Sequence, residues 1–205
     1  MSASLNPRMT EEEYLKIERA AEFKSEFYDG IMYPMGGPYG MSGGSAAHAL
    51  IIPNLAAELR QALKQKQCAV YVTELRLRLS PSESYAYPDI VAVCGPRQYM
   101  DQQKDTLVNP TLIVEVLSPS TEAHDRGLKF RRYRQIESLQ EYGLVSQTEP
   151  RVEIFRRQLS GDWLLSETVG LDATCHFDSV ACQIALSEIY YQVTFDPAPP
   201  VQPAP

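Results

Sequence analysis

The sequence predicts a mixed α/β sheet flanked by helices, and three observations carry that prediction. Residues 87–94 and 112–117 are nearly continuous apolar runs, the pattern of central strands covered on both faces. From Ser45 onward, Ile51, Ile52, Leu55, Leu59, Ala62 and Leu63 recur on one stripe, with Arg60, Lys64 and Lys66 largely off it, which marks an amphipathic helix. Residues 70–79 alternate Leu75, Leu77 and Leu79 against Glu74, Arg76 and Arg78, as a strand with one wet face does.

Each element follows from local chemistry. Thr10-Glu-Glu-Glu13 sets a hydroxyl three residues before a Glu, a capping box that starts a short helix over 10–17. Tyr28-Asp-Gly30 lies between apolar and aromatic flanks, so residues 23–35 read as a hairpin turning at Asp-Gly. Residues 36–45 hold five glycines in ten positions and read as a loop; they match neither a Walker pattern nor GxGxxG. In the long helix from Ser45, Pro53 either introduces a kink or marks the true first turn. After the strand ending at Leu117, helix signals run over 121–135, and strands follow near 142–146, 152–156 and 163–168. Residues 1–195 read as one domain, and residues 196–205, with five of the fifteen prolines, as a disordered tail. No internal repeat is visible.

Composition narrows the function classes. The chain of 205 residues and 23.0 kDa is 44% hydrophobic and 22% charged, which excludes fibrous and intrinsically disordered classes. No run reaches the length of a membrane span, and MSASLNPRMTEEEYLK lacks the apolar core of a signal peptide, so a cytoplasmic protein is expected. Cys68, Cys94, Cys175 and Cys182 are scattered and form no CxxC; reduced, mainly buried thiols are expected, with neither zinc site nor disulfide framework. The net charge of −7 argues against a surface that coats itself with nucleic acid.

The chemistry concentrates around two carboxylates. Glu115 is the only polar residue of Leu112-Ile-Val-Glu115-Val-Leu117, and Asp89 stands at the mouth of the neighbouring apolar run. Burying an ionised carboxylate costs several kcal/mol, on the order of the effective penalty per ion, unless a cation or donors compensate it. A hard divalent ion is the natural compensator of two such groups, and that arrangement suits phosphodiester hydrolysis. The structural alternative has Asp89 capping a turn after Pro88 and Glu115 paired with a buried Arg. The helix after Glu115 carries five basic residues within nine positions, with Arg126 and Lys129 near one side. Lys129 reaching the carboxylates would hold an attacking water or steady the transition state. Otherwise Asp125 and Lys129 form only an exposed i,i+4 pair, worth a few tenths of a kcal/mol, about 0.3.

Tyr87-Pro-Asp89-Ile-Val, Leu112-Ile-Val-Glu115-Val-Leu-Ser-Pro-Ser-Thr121 and Asp125-Arg-Gly-Leu-Lys129-Phe-Arg-Arg-Tyr133, in that order, resemble the Uma-two family of endonucleases. That family lies in the PD-(D/E)xK, or restriction-endonuclease-like, superfamily. The likeness extends to Glu26-Phe-Tyr-Asp-Gly30, His48, Ser138-Leu-Gln-Glu-Tyr142 and Pro150-Arg-Val-Glu-Ile-Phe155, covering about residues 9–191. The resemblance implies a restriction-endonuclease-like sheet core with an added N-terminal helix and hairpin and C-terminal strands. It also implies a nuclease site of Asp89, Glu115 and a Lys, with Glu26 as an extra acid. In the superfamily pattern the Lys lies two residues after the acid; here that position is Leu117, and Lys129 is the matching candidate.

The expected function is therefore a Mg²⁺- or Mn²⁺-dependent deoxyribonuclease. Asp89 and Glu115 would bind metal, Lys129 would position water, and Glu26 would assist, with His48, Arg126 and Arg132 as supporting or substrate-contacting residues. A DNA-binding protein of the same fold without cleavage and a protein-interaction module are the rival readings. Residues 126–157 carry 8 basic and 4 acidic side chains, so a local basic face can draw a phosphate backbone despite the net charge. Weak, salt-dependent DNA binding by a homodimer is expected.

Overall fold

The computed structural model describes residues 8–35, 45–79 and 83–195. The predicted loop and tail at 36–45 and 196–205 fall outside them, apart from Ser45.

Thr10 caps α1 (Glu11–Glu18) through the predicted box: its hydroxyl accepts from the Glu13 N–H, and the Glu13 carboxylate accepts from the Thr10 N–H. Strands β1 (Ser25–Tyr28) and β2 (Ile31–Pro34) pair as the predicted hairpin. Asp29 and Gly30 between them both take positive φ, 52° and 83°, which is the turn that Asp-Gly favours. Helix α2 (Ala46–Leu63) starts at Ser45, whose hydroxyl accepts from the His48 N–H, and it carries Pro53 in its interior.

The predicted strand over 70–79 is in fact two strands in two sheets: β3 (Cys68–Val72) and β4 (Arg76–Leu79). Thr73, with φ 48°, turns the chain from one sheet to the other. The apolar run at 87–94 is a strand only from Ile90 onward. Strand β5 (Ser84–Ala86) ends before it, and β6 (Ile90–Cys94) begins just after Asp89. After the short β7 (Thr106–Leu107) comes β8 (Leu112–Leu117), as predicted. Residues 122–133 form one helical path: α3 (Glu122–His124), a π-turn (Asp125–Lys129) and α4 (Phe130–Tyr133). Strands β9 (Glu141–Ser146), β10 (Arg151–Arg157) and β11 (Trp163–Val169) match the predicted ones within a residue or two. A small hairpin, β12 (Thr174–Phe177) and β13 (Cys182–Ala185), and α5 (Leu186–Ile189) complete the order.

The six-stranded sheet runs β11-β10-β9-β8-β6-β3, antiparallel except for the β8–β9 pair, and a five-stranded sheet runs β2-β1-β5-β4-β7. Period-two alternation gives β8 two different faces. Leu112, Val114 and Val116 point into a core with α2, the β12–β13 hairpin and α5. Ile113 and Leu117 point into a second core with Tyr133, Tyr142 and Leu77 and Leu79 of β4. Glu115 lies on that second face, so a carboxylate stands where the neighbouring pattern places apolar side chains. Tyr14, Phe27 and Tyr85 form a third cluster that fastens α1 to the hairpin.

One expectation is overturned: Cys68 and Cys94 form a disulfide. They are directly opposed in the β3–β6 ladder, with Cα atoms 4.0 Å apart, and a separation of 26 residues leaves no trace of this in the sequence. Cys175 and Cys182 are free and buried, as expected.

Candidate active site

The antiparallel register of β6 and β8 sets Ile90 opposite Val114, which brings Asp89 beside Glu115. The two acids interlock through the backbone: the Asp89 N–H donates to Glu115 Oε2 at 3.2 Å, and the Val116 N–H donates to Asp89 Oδ2 at 2.8 Å. Glu115 is 3% exposed, whereas the Asp89 side chain keeps 18% of its surface open. The sequence expectation of a carboxylate at each of two adjacent strands is thus met in space.

Lys129 reaches them. Its Nζ lies 3.1 Å from Glu115 Oε1, 3.3 Å from Glu26 Oε1 and 3.3 Å from Asp125 Oδ1. The local fold explains how. In the π-turn the Phe130 N–H donates back to the Asp125 carbonyl, five residues away, and the widened turn aligns residues four apart on one side. Asp125 and Lys129 therefore both point inward, at 2% and 7% exposure. The exposed i,i+4 pair considered from sequence is instead a buried one. Glu26 arrives on β1, where the hairpin folds over the helix; Arg132 ties the two together by pairing with Asp29 and lying 4.2 Å over the Tyr28 ring.

Tyrosines complete the cluster. Tyr133 OH donates to Glu115 Oε1 at 2.8 Å, Tyr28 OH donates to Glu26 Oε2 at 3.0 Å, and Tyr142 OH donates to the Asp125 carbonyl at 3.2 Å. Burial, reinforced by Glu115, raises Tyr133 well above its ordinary range, so it remains a donor. His48 stands in the first turn of α2 on the stripe that continues through Ile51, Ile52 and Leu55, and its Nε2 lies 3.5 Å from Asp89 Oδ2. That contact raises the imidazole pKa against the effect of burial.

Three carboxylates surround one ammonium, with Asp89 beside Glu115, and the electrostatics reflect the imbalance. Burial pulls Lys129 down, but Glu115, Glu26 and Asp125 outweigh it and hold its pKa well above the usual lysine range. Burial pushes Glu115 up to about 8; Lys129 opposes that rise, while Asp89 and Asp125 add to it. Asp125 is raised for the same reason, burial first. Among the described residues, buried Glu26 Oε1 and Asp125 Oδ1 accept no hydrogen bond and have only the Lys129 ion pair.

Arg126 and Arg132 go elsewhere. Arg126 pairs with Glu122 and with Glu153 of β10, and Arg132 serves the hairpin. Asp125 and the three tyrosines, Tyr28, Tyr133 and Tyr142, are the cluster members that sequence reasoning did not assign to the site. The signal for Asp125 was its spacing of four from Lys129; Tyr133 ends the same family-like stretch, but a tyrosine on a helix is ordinarily core and its spacing gave it no role.

Among the described residues, no three or more His, Cys, Asp and Glu side chains gather to hold a metal ion by themselves. Mg²⁺ needs no such cage: one or two carboxylates suffice, with waters and phosphate oxygens filling the remaining positions. Asp89 and Glu115 offer hard oxygen donors in a cluster with more acidic than basic side chains, to which Glu26 and Asp125, each with an oxygen lacking a hydrogen bond, also belong. The donor set fits such an ion.

Comparison with known proteins gives the family and the fold. Two uncharacterised proteins of Synechocystis sp. are close relatives. The chain is 35% identical to slr1290 over 189 residues, covering 92% of this chain and 95% of that protein. It is 37% identical to sll1609 over 169 residues, covering 82% and 92%. The crystal structure titled as a putative nuclease belonging to DUF820, from Anabaena variabilis, superposes with a TM-score of 0.70 at 19% identity, over 89% of this chain and 97% of that one. The fold is therefore the restriction-endonuclease-like α/β fold of that structure. Residues 11–187 match the family Uma2, described as "Putative restriction endonuclease", and on that match across most of its length the chain belongs to the Uma2 family.

Proposed function

We propose that the protein is a Mg²⁺- or Mn²⁺-dependent endonuclease that hydrolyses DNA phosphodiester bonds at the Asp89, Glu115 and Lys129 cluster. The observation that carries the reading is the 3.1 Å approach of Lys129 Nζ to Glu115. It brings an ammonium to the carboxylate pair although Leu117 occupies the usual lysine position.

Asp89 and Glu115 would hold the ion. When bound, a divalent ion polarises a phosphate and makes a water molecule more acidic. The chain's own residues supply the rest. Lys129 offers a point charge to an incoming water and to the negative charge that grows on the phosphate. Asp125 and Glu26 keep its ammonium aimed at Glu115, and Tyr133 fixes the Glu115 carboxylate by donating to Oε1. His48, beside the more open Asp89, is placed to pass a proton at the rim of the site. Binding to DNA is expected to be weak and salt-dependent, and a homodimer would allow two strand cuts.

A second reading is supported by the engagement of Lys129 with three carboxylates within 3.3 Å: a DNA-binding relative of the same fold without turnover. One experiment separates them. Purified protein is incubated with duplex, single-stranded and branched DNA in Mg²⁺ or Mn²⁺, beside an Asp89→Ala control. Cleavage above the control is expected. Metal-independent binding without cleavage would select the second reading.

A further inference from the structure

We propose that the Cys68–Cys94 bridge is a thiol–disulfide exchange site, entered at Cys68 by a small, negatively charged thiol and separate from the carboxylate cluster. Cys68 is the first residue of β3, the edge strand of the six-stranded sheet, and Cys94 is the last residue of β6; both are half-buried. A cavity of about 440 Å³ opens there, lined by Lys66, Gln67, Cys68, Gly95, Pro96 and Arg97. It is an open depression rather than an enclosed pocket, so a small solute can reach Cys68 from solvent. Cys68 contributes to the lining and Cys94 does not.

The lining has two cationic side chains and no acidic one. Arg97 is exposed, and the Lys66 ammonium is held by the carbonyls of Val180 and Ala181 at 3.0 and 2.6 Å. A positive environment attracts a thiolate that also carries carboxylates, and it stabilises the thiolate that leaves. The two other cysteines are buried, and burial outweighs the nearby cations: it pushes Cys175 up to about 12 and raises Cys182 despite Lys66.

The chemistry balances without any other reagent. The incoming thiolate bonds to Cys68 Sγ as the Cys68–Cys94 bond breaks, and the electron pair and a proton end on Cys94. A second thiol then attacks the mixed disulfide, leaving both cysteines as thiols and the two small thiols joined as their own disulfide. Two electrons pass from the small thiols to the protein. In reverse, Cys94 resolves a mixed disulfide on Cys68 and re-forms the bridge.

The test uses the full-length, air-oxidised protein with reduced glutathione as the anionic probe and cysteamine as the cationic one. Native alkylation, intact mass and peptide mapping read the products, and circular dichroism confirms that the protein stays folded. The bridge is expected to open in the folded state, with the first glutathione adduct on Cys68 and Cys175 and Cys182 unmodified. After correction for each thiol's own reactivity, exchange should be about tenfold faster with glutathione at low salt. That preference should collapse in Arg97→Gln and in about 1 M salt. In Cys94→Ser, glutathione disulfide should convert Cys68 to a mixed disulfide that persists. Four alkylatable thiols before any reductant is added, opening only on unfolding, an adduct on Cys94, or equal rates with the two probes would each overturn the proposal.

Discussion

Lys129 carries more electrostatic responsibility than any other residue of the cluster, because three buried carboxylates lean on its one ammonium. Removing one partner of a buried charge set leaves the others uncompensated, at a cost of about 3–5 kcal/mol. Lys129→Met should therefore lower stability at neutral pH by that order, as read from urea unfolding, as well as abolish cleavage; a loss under 1 kcal/mol, roughly that of a surface pair, would mean that the carboxylates do not depend on it. Glu115 adds a dependence on pH. Its pKa stands at about 8 in the folded protein against 4.5 when unperturbed. A folded value above the unfolded one gives stability that is complete below about 4.5 and drains away as the pH climbs through about 8. The contribution of Lys129, raised above 10.5, is flat across that window. Glu115→Gln removes the titrating group. With divalent ions chelated, wild-type stability relative to Glu115→Gln is expected to fall between pH 5 and pH 8. A difference that is constant or moves the other way would contradict the sign.

Elements written in local chemistry were legible in the sequence, whereas those set by distant neighbours were not. The Thr10 capping box, the Asp-Gly turn, the stripe of α2 and the apolar run of β8 each need only nearby residues, and each stands where the sequence pattern puts it. The break at Thr73 was invisible. Alternation continues smoothly through it, and the turn moves the chain into the five-stranded sheet, from which Leu77 and Leu79 pack into the core they share with Ile113 and Leu117 of the six-stranded sheet. The π-turn was equally silent, since its i→i+5 bonding satisfies the buried pairing of Asp125 and Lys129 with β8 rather than any local propensity. So Asp89, Glu115 and Lys129 could be named from the sequence, but not the burial of Asp125 or the donation by Tyr133, which depend on how the helix meets the sheet. Gly143 of β9 belongs to the same hidden class. It lies opposite Val114 in the parallel pair, and a Cβ there would sit 3.3 and 3.4 Å from the Val114 methyl groups and 3.5 Å from Phe177. Gly143→Val would push on the strand that carries Glu115, and overpacking of this kind costs about 1–3 kcal/mol. A lowered melting temperature is expected; an unchanged or raised one would show that the strands part without cost.

Across the whole molecule, charge sets how DNA would be approached under the proposed function. The net charge of −7 hides a basic excess over residues 126–157, but most of that excess is spent inside the protein. Arg126, Arg132, Arg151 and Arg156 are paired with carboxylates, Lys129 is buried in the acidic cluster, and Arg157 donates to the carbonyls of Arg134, Ile136 and Leu139. Arg131 and Arg134 remain, exposed at α4 and its C-terminal end, and they form no ion pair among the described residues. They flank the helix whose inner side presents Lys129 to Glu115. A DNA backbone held there would release about 0.9 counterion per phosphate neutralised. Replacing both with Gln should weaken binding similarly for all sequences and flatten the plot of log affinity against log salt by about 2, roughly one for each arginine removed. Fluorescence anisotropy with a labelled duplex, in chelator so that no strand is cut, measures both quantities. If the slope is unchanged while Lys129→Met alters it, DNA phosphates are held within the acidic cluster itself, and the outer face of α4 takes no part in binding.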